Sequence, residues 1–143
     1  MRAHDLAAFA ALVFFVFTSC GCRGEKGAKV TGVLLNDGQP LQLADRERVE
    51  LMLVPTIKDE TSLKANPGAE HNSDDGSFVF IGPGQGLVAP GEYKVCVKVR
   101  TREGGDRLGD QFSEANTPLA YTVGPEPKQA IVIDIGAKSV TRK

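Results

Sequence analysis

GPGQGLVAPGEYKVCVKVR, residues 82–100, changes character halfway along. From Gly82 to Gly91 glycine and proline are too frequent for regular structure, so this half reads as a loop. From Tyr93 onward the residues alternate. Tyr93, Val95, Val97 and Val99 fall on one side, and Lys94, Cys96, Lys98 and Arg100 on the other. A period of two is the mark of a strand with one face buried and the other wet.

The same pattern recurs on both sides of this segment. Upstream, AKVTGVLL (Ala28–Leu35) is rich in β-forming residues, and Asn36-Asp37-Gly38 after it predicts a tight turn. In RVELMLVP (Arg48–Pro55), Val49, Leu51 and Leu53 share a face and Pro55 ends the run. Lys58–Asn72 is polar and turn-rich, with a short edge strand near Ala69–Asn72. DDGSFVFIG gives a turn at Asp74-Asp75-Gly76 and a strand with Phe78 and Phe80 inward. Downstream, Thr101–Asp110 is a charged loop. LAYTV (Leu119–Val123) and AIVIDI (Ala130–Ile135) follow, the latter with Ile131, Ile133 and Ile135 on one side. The resulting expectation is an all-β domain, a seven-stranded Greek-key β-sandwich. It occupies residues 29–136, with 137–143 as a frayed tail.

Composition agrees with one such domain. The chain has 143 residues, of which 41% are apolar, enough for a core without metal or disulfide support. The net charge of −1 gives no electrostatic reason to expect nucleic acid or an anionic membrane as a partner.

Residues 1–19 read differently. Leu6–Phe17 is apolar, but a helix crossing a bilayer needs about 20 apolar residues, and Arg23, Glu25 and Lys26 follow closely. The length suits the apolar region of a secretory signal peptide. Phe17-Thr18-Ser19-Cys20 resembles the lipobox of bacterial lipoproteins: a bulky apolar residue, two small ones, then cysteine. That resemblance implies diacylglycerol on the Cys20 thiol, cleavage before Cys20, and acylation of the new amino group. Two or more acyl chains anchor stably where one does not. Ordinary cleavage leaving a free thiol and a retained membrane segment are the alternatives. Residues 20–28 read as a flexible tether. Gly21, where inner-membrane lipoproteins often carry aspartate, favours the outer membrane.

VTGVLLNDGQPL, VELMLVP, DDGSFVF and APGEYKVCVKV, in that order, resemble the transthyretin-like, carboxypeptidase regulatory-like β-sandwich domain. The closing FSEANTPLAYTVGPEPKQAIVIDI is similar to the end of small lipoproteins of planctomycete-type bacteria. The resemblance covers about Lys29–Ile135. It implies a fold and an extracytoplasmic setting, and no activity. One transthyretin relative hydrolyses hydroxyisourate with several histidines and a Tyr-Arg-Gly-Ser terminus. This chain ends SVTRK and keeps only His71 after cleavage.

Candidate chemistry is sparse. His71 reads as a surface histidine in a loop, with no serine or cysteine to complete a triad. Ser73-Asp74-Asp75-Gly76 reads as a hairpin turn, since the spaced acidic ligands of a calcium loop are missing. Asp106 and Asp110 read as solvated loop residues. Cys96 either pairs with Cys22 in an oxidising compartment or stays a free thiol under a loop. Tyr93 is placed to donate a hydrogen bond back to the preceding loop, as in a tyrosine corner. Phe112 and Tyr121 are the aromatics left for a contact surface. The reading is a non-catalytic module of the cell envelope, without cofactor or metal. It is held on a membrane by its lipid and meets an unknown envelope protein, with a polysaccharide of the cell wall as the alternative.

Overall fold

A computed structural model describes residues 27–57, 66–83 and 86–143. The expected leader, Cys20, Cys22 and most of the expected tether lie outside the described residues. Among the described residues the chain is all-β, with no helix. Nine strands follow in order: β1 (Lys29–Asn36), β2 (Gln39–Pro40), β3 (Arg48–Pro55), β4 (Gly68–His71), β5 (Ser77–Ile81), β6 (Gly91–Arg100), β7 (Ala120–Val123), β8 (Lys128–Asp134) and β9 (Ser139–Arg142). The seven expected strands are all present, and β2 and β9 are additions. β9 corrects the frayed tail: Val140 pairs with Ile133 and packs on the core, so the terminal residues are tied down.

The strands form one sheet in the order β7-β6-β3-β4-β5-β1-β8-β9, with β2 beside β1. The sheet curls until its end strands β7 and β9 approach each other, so it is nearly closed. β1 and β8 run parallel, with Lys29 opposite Lys128 and Leu35 opposite Asp134. The other ladders are antiparallel, and β3 with β6 is among the longest, from Arg48–Arg100 to Pro55–Tyr93. β4 is no edge strand. It joins β3 to β5 and thereby connects the two halves of the sheet.

Alternation decides what fills the interior. Val95, Val97 and Val99 of β6 meet Leu51 and Leu53 of β3, Leu34 of β1, and Ile131 and Ile133 of β8 in one buried cluster. Phe78 and Phe80 are both inward, edge to face with centroids 5.3 Å apart, a favoured aromatic geometry. Tyr93 is buried and donates its hydroxyl to the Ala89 carbonyl at 2.8 Å, the corner expected from the sequence.

The segment after β6 is more ordered than its composition suggests. β7 covers only the first part of the free edge of β6. Beyond it, Leu119 O accepts from Val95 N at 3.0 Å and Phe112 O accepts from Val97 N at 3.1 Å. Asp106 then closes the edge: its carboxylate accepts from Val99 N, Leu108 N and Asp110 N, each at 3.0 Å. A buried strand N–H left unpaired is costly, so Asp106 is a structural part of the edge and not a solvated loop residue. Asp110 lies 3.7 Å from Lys98 Nζ.

Two turns are held at the end of the sheet where β1 finishes. Asp37 and Gly38 both have positive φ (51° and 79°), the two-residue hairpin geometry that suits a twisted pair. Asp134 reaches across from β8 and accepts from Asp37 N at 2.9 Å, Gly38 N at 2.8 Å and Ala137 N at 3.0 Å. These backbone donors, that of Ala137 first, hold its carboxyl below the usual carboxylate range.

Candidate functional site

An open concavity lies where β3 and β4 part. Their ladder has two rungs, Leu51–Ala69 and Met52–Gly68. The next rung would set Glu50 opposite Glu70, and like charges directly across a ladder repel. The pairing stops there, and Glu50 turns to Arg100, whose Nε donates at 2.9 Å. The result is a shallow groove of about 370 Å³, lined by Val49, Glu50, Leu51, Gly68, Ala69, Glu70 and Ile81. It offers two carboxylates, one already paired, and no nucleophile.

His71 sits at the end of β4 opposite Phe78, half-buried on the strand and not in a loop. Its Nε2 is buried without a hydrogen-bond partner. Burial pushes the imidazole pKa down, and nearby Asp75 opposes the shift. Asp75 is engaged elsewhere: Ser77 donates both its hydroxyl and its N–H, the latter at 2.8 Å. This order is wrong for nucleophile activation, because the serine donates to the carboxylate and not to the imidazole. Asp74 and Asp75 form the expected hairpin turn. Asn72 Oδ1 caps Asp74 N at 3.0 Å, and Gly76 takes a φ of 71°.

Protonation of His71 therefore favours unfolding. Its contribution to stability is complete above its ordinary pKa of 6.5 and declines as pH falls from there to the depressed folded value. The denaturation midpoint of the parent should fall between pH 7.5 and 5 (about the range in which only histidine titrates). A His71→Phe variant should fall less over the same interval. Parallel curves for the two proteins would remove His71 as the cause.

The two aromatics expected at a contact surface are inside. Phe112 is 2% exposed and Tyr121 is 9% exposed. Phe112 enters the core because its own carbonyl is docked on Val97 of β6. Tyr121 belongs to a polar seam that fastens the two ends of the sheet. Its hydroxyl donates to Gln129 Oε1, which also accepts from Arg142 Nη2 at 2.9 Å. Gln129 Nε2 donates to Gly124 O at 3.1 Å and Glu126 O at 3.0 Å. Arg142 also pairs with Glu126 at 3.3 Å. Gln129 is the one buried polar side chain among the described residues, and its amide is fully employed. All five described aromatics are buried, so no aromatic platform is available among the described residues for stacking on a sugar.

Cys96 is a free, buried thiol on the outward side of β6. Burial raises its pKa, and Glu114 adds to the rise, which makes it a poor nucleophile. No disulfide occurs among the described residues, and the expected partner Cys22 lies outside them. No group of three or more metal-ligating side chains converges among the described residues.

Sequence reading missed the roles of Asp106, Asp134 and Gln129. For Gln129 a signal was present: it shares the parity of Ile131, Ile133 and Ile135. For the two aspartates nothing in the local sequence marks which backbone amides they reach. No family model matches the chain, and no curated protein or solved structure matches it.

Proposed function

We propose that this protein is a lipid-anchored, non-catalytic module of the bacterial cell envelope, structural or protein-binding in role. The observation that carries this reading is what the polar side chains do. Asp106, Asp134, Gln129 and Tyr121 hold backbone amides, carbonyls or one another. Their hydrogen-bonding capacity goes into a rigid body. That body follows a tether, and the tether follows the lipobox-like Phe17-Thr18-Ser19-Cys20.

In this reading Cys20 becomes the first residue and carries the lipid, on the outer rather than the inner membrane. The nine strands form a transthyretin-like sandwich with Greek-key connections, folded over at the short β4. One layer is β7-β6-β3 and the other β5-β1-β8-β9. A partner would meet the chain between β3 and β4, between β5 and β6, and between β6 and β7. The last of these has a fixed shape, imposed by Asp106 and by the main-chain bonds to β6.

Growth with a radiolabelled or alkyne fatty acid tests the anchor. The parent should take up label into a species that partitions with membranes, and Cys20→Ala should take up none. Equal labelling of the two would refute lipidation at Cys20. Cross-linking in intact cells should then capture a discrete envelope protein. Dependence on the Arg100–Thr117 surface would support the module reading, and turnover abolished by His71→Ala would overturn it.

A further inference from the structure

We infer that the outer face of β5-β1-β8-β9 lies against the anionic bilayer surface to which the chain is anchored; this rests on the lipid-anchor reading above. The parallel register sets Lys29 directly beside Lys128, both exposed on the outer face. Two like charges in neighbouring positions weaken a sheet, so this pair is not explained by folding. Lys143 extends the cluster. It is exposed, and its N–H bonds to Ala130 O at 2.9 Å, which places it on the next strand. None of the three makes an ion pair among the described residues.

Beside the lysines the face turns apolar. Val79 and Val132 point outward and are partly buried, and Ile81 is 44% exposed. Glu70, opposite Val79, borders the patch on the β4 side. A basic rim beside short apolar side chains matches an interface of anionic headgroups over acyl chains.

The chain's route selects this occupant. β1 starts at Lys29, and Lys29 is nine residues from Cys20. Fully extended, that length spans about 30 Å. An acylated Cys20 would therefore hold the lysine cluster near the membrane at high effective concentration, where weak contacts become populated. Each lysine at an anionic surface strengthens such contact about fivefold.

The test uses the full-length lipidated protein in phosphatidylcholine vesicles doped with phosphatidylglycerol and nitroxide-labelled lipid. A fluorophore is placed at Thr141→Cys on this face, or at Thr122→Cys on β7, each in a Cys22→Ser background. Both threonines are exposed. Quenching at position 141 should exceed that at 122 by about threefold or more. Lys29→Glu with Lys128→Glu and Lys143→Glu should erase the difference while the protein still floats with vesicles. The single change Lys128→Glu should leave the unfolding midpoint unchanged or raised, because it replaces a repulsive pair by an attractive one. Equal quenching at the two sites in floating protein, or quenching at 141 indifferent to the charge reversal, overturns this inference and leaves the anchor intact. Protein that lacks acyl chains and does not float overturns the anchor reading, and the inference with it.

Discussion

Phe112→Ala should lower the free energy of unfolding by about 3–5 kcal/mol, the range for emptying a large buried aromatic site. The position lies in a segment without a regular strand, where substitutions are ordinarily mild. Its side chain is nevertheless in the main core cluster. Its carbonyl accepts from Val97 N at 3.1 Å, so the surrounding chain cannot readily collapse into the vacated space. The neighbouring exposed Gln111→Ala should change stability by no more than about 0.5 kcal/mol. Urea unfolding at constant slope distinguishes the two. If Phe112→Ala behaves like Gln111→Ala, the loop does not seal the core as described.

Gly32→Val should be at least as damaging, at about 3 kcal/mol or more. Gly32 lies mid-strand in β1, paired with Phe78 on one side and Ile131 on the other. A Cβ there would stand 2.3 Å from the Ile131 carbonyl oxygen and 2.6 Å from Phe78 Cζ. The ring can shift, but the oxygen belongs to the backbone of the adjacent ladder. Relief therefore requires β1 and β8 to separate, which overpacking rarely achieves cheaply. A fall of roughly 10–20 °C in Tm corresponds to this loss for a domain of this size. Combining Gly32→Ala with Phe78→Leu should recover only part of the loss from Gly32→Ala, because the clash with the carbonyl remains. Full recovery would show that ring contact alone makes the glycine necessary.

What the sequence revealed and what it concealed have physical reasons. β6 was legible because Tyr93, Val95, Val97 and Val99 are buried while Lys94, Lys98 and Arg100 on the other side stay at least partly exposed; Cys96 alone departs from the alternation. The turns were legible because Gly38 and Gly76 occupy positive φ. β9 was hidden because it contributes a single core-facing apolar side chain, Val140, between polar neighbours. Its pairing depends on β8 offering an open edge, which is a tertiary fact. Phe112 was misread because turn residues surround it, and composition alone cannot say that the loop is pinned to a strand edge. Tyr121 was misread despite a usable signal. It shares the parity of Leu119 and Val123, both buried, and its hydroxyl needed only one partner to be tolerated inside.

The groove between β3 and β4 had a similar half-visible origin. Glu50 and Glu70 are plain in the sequence, but that they would fall opposite each other follows only from register. His71 shows the converse. Its parity with Ala69 places it toward the interior, yet the polar run around it suggested an exposed loop.

The proposed arrangement is a rigid β body tethered by a lipid at Cys20. Intact mass measurement of the protein extracted from the membrane fraction tests this most directly. The expected species begins at Cys20, lacks residues 1–19, and is heavier than that polypeptide by a diacylglyceryl group and an acyl chain. A membrane-derived species with the mass of the unmodified polypeptide, starting at Met1 or at Cys20, would contradict it.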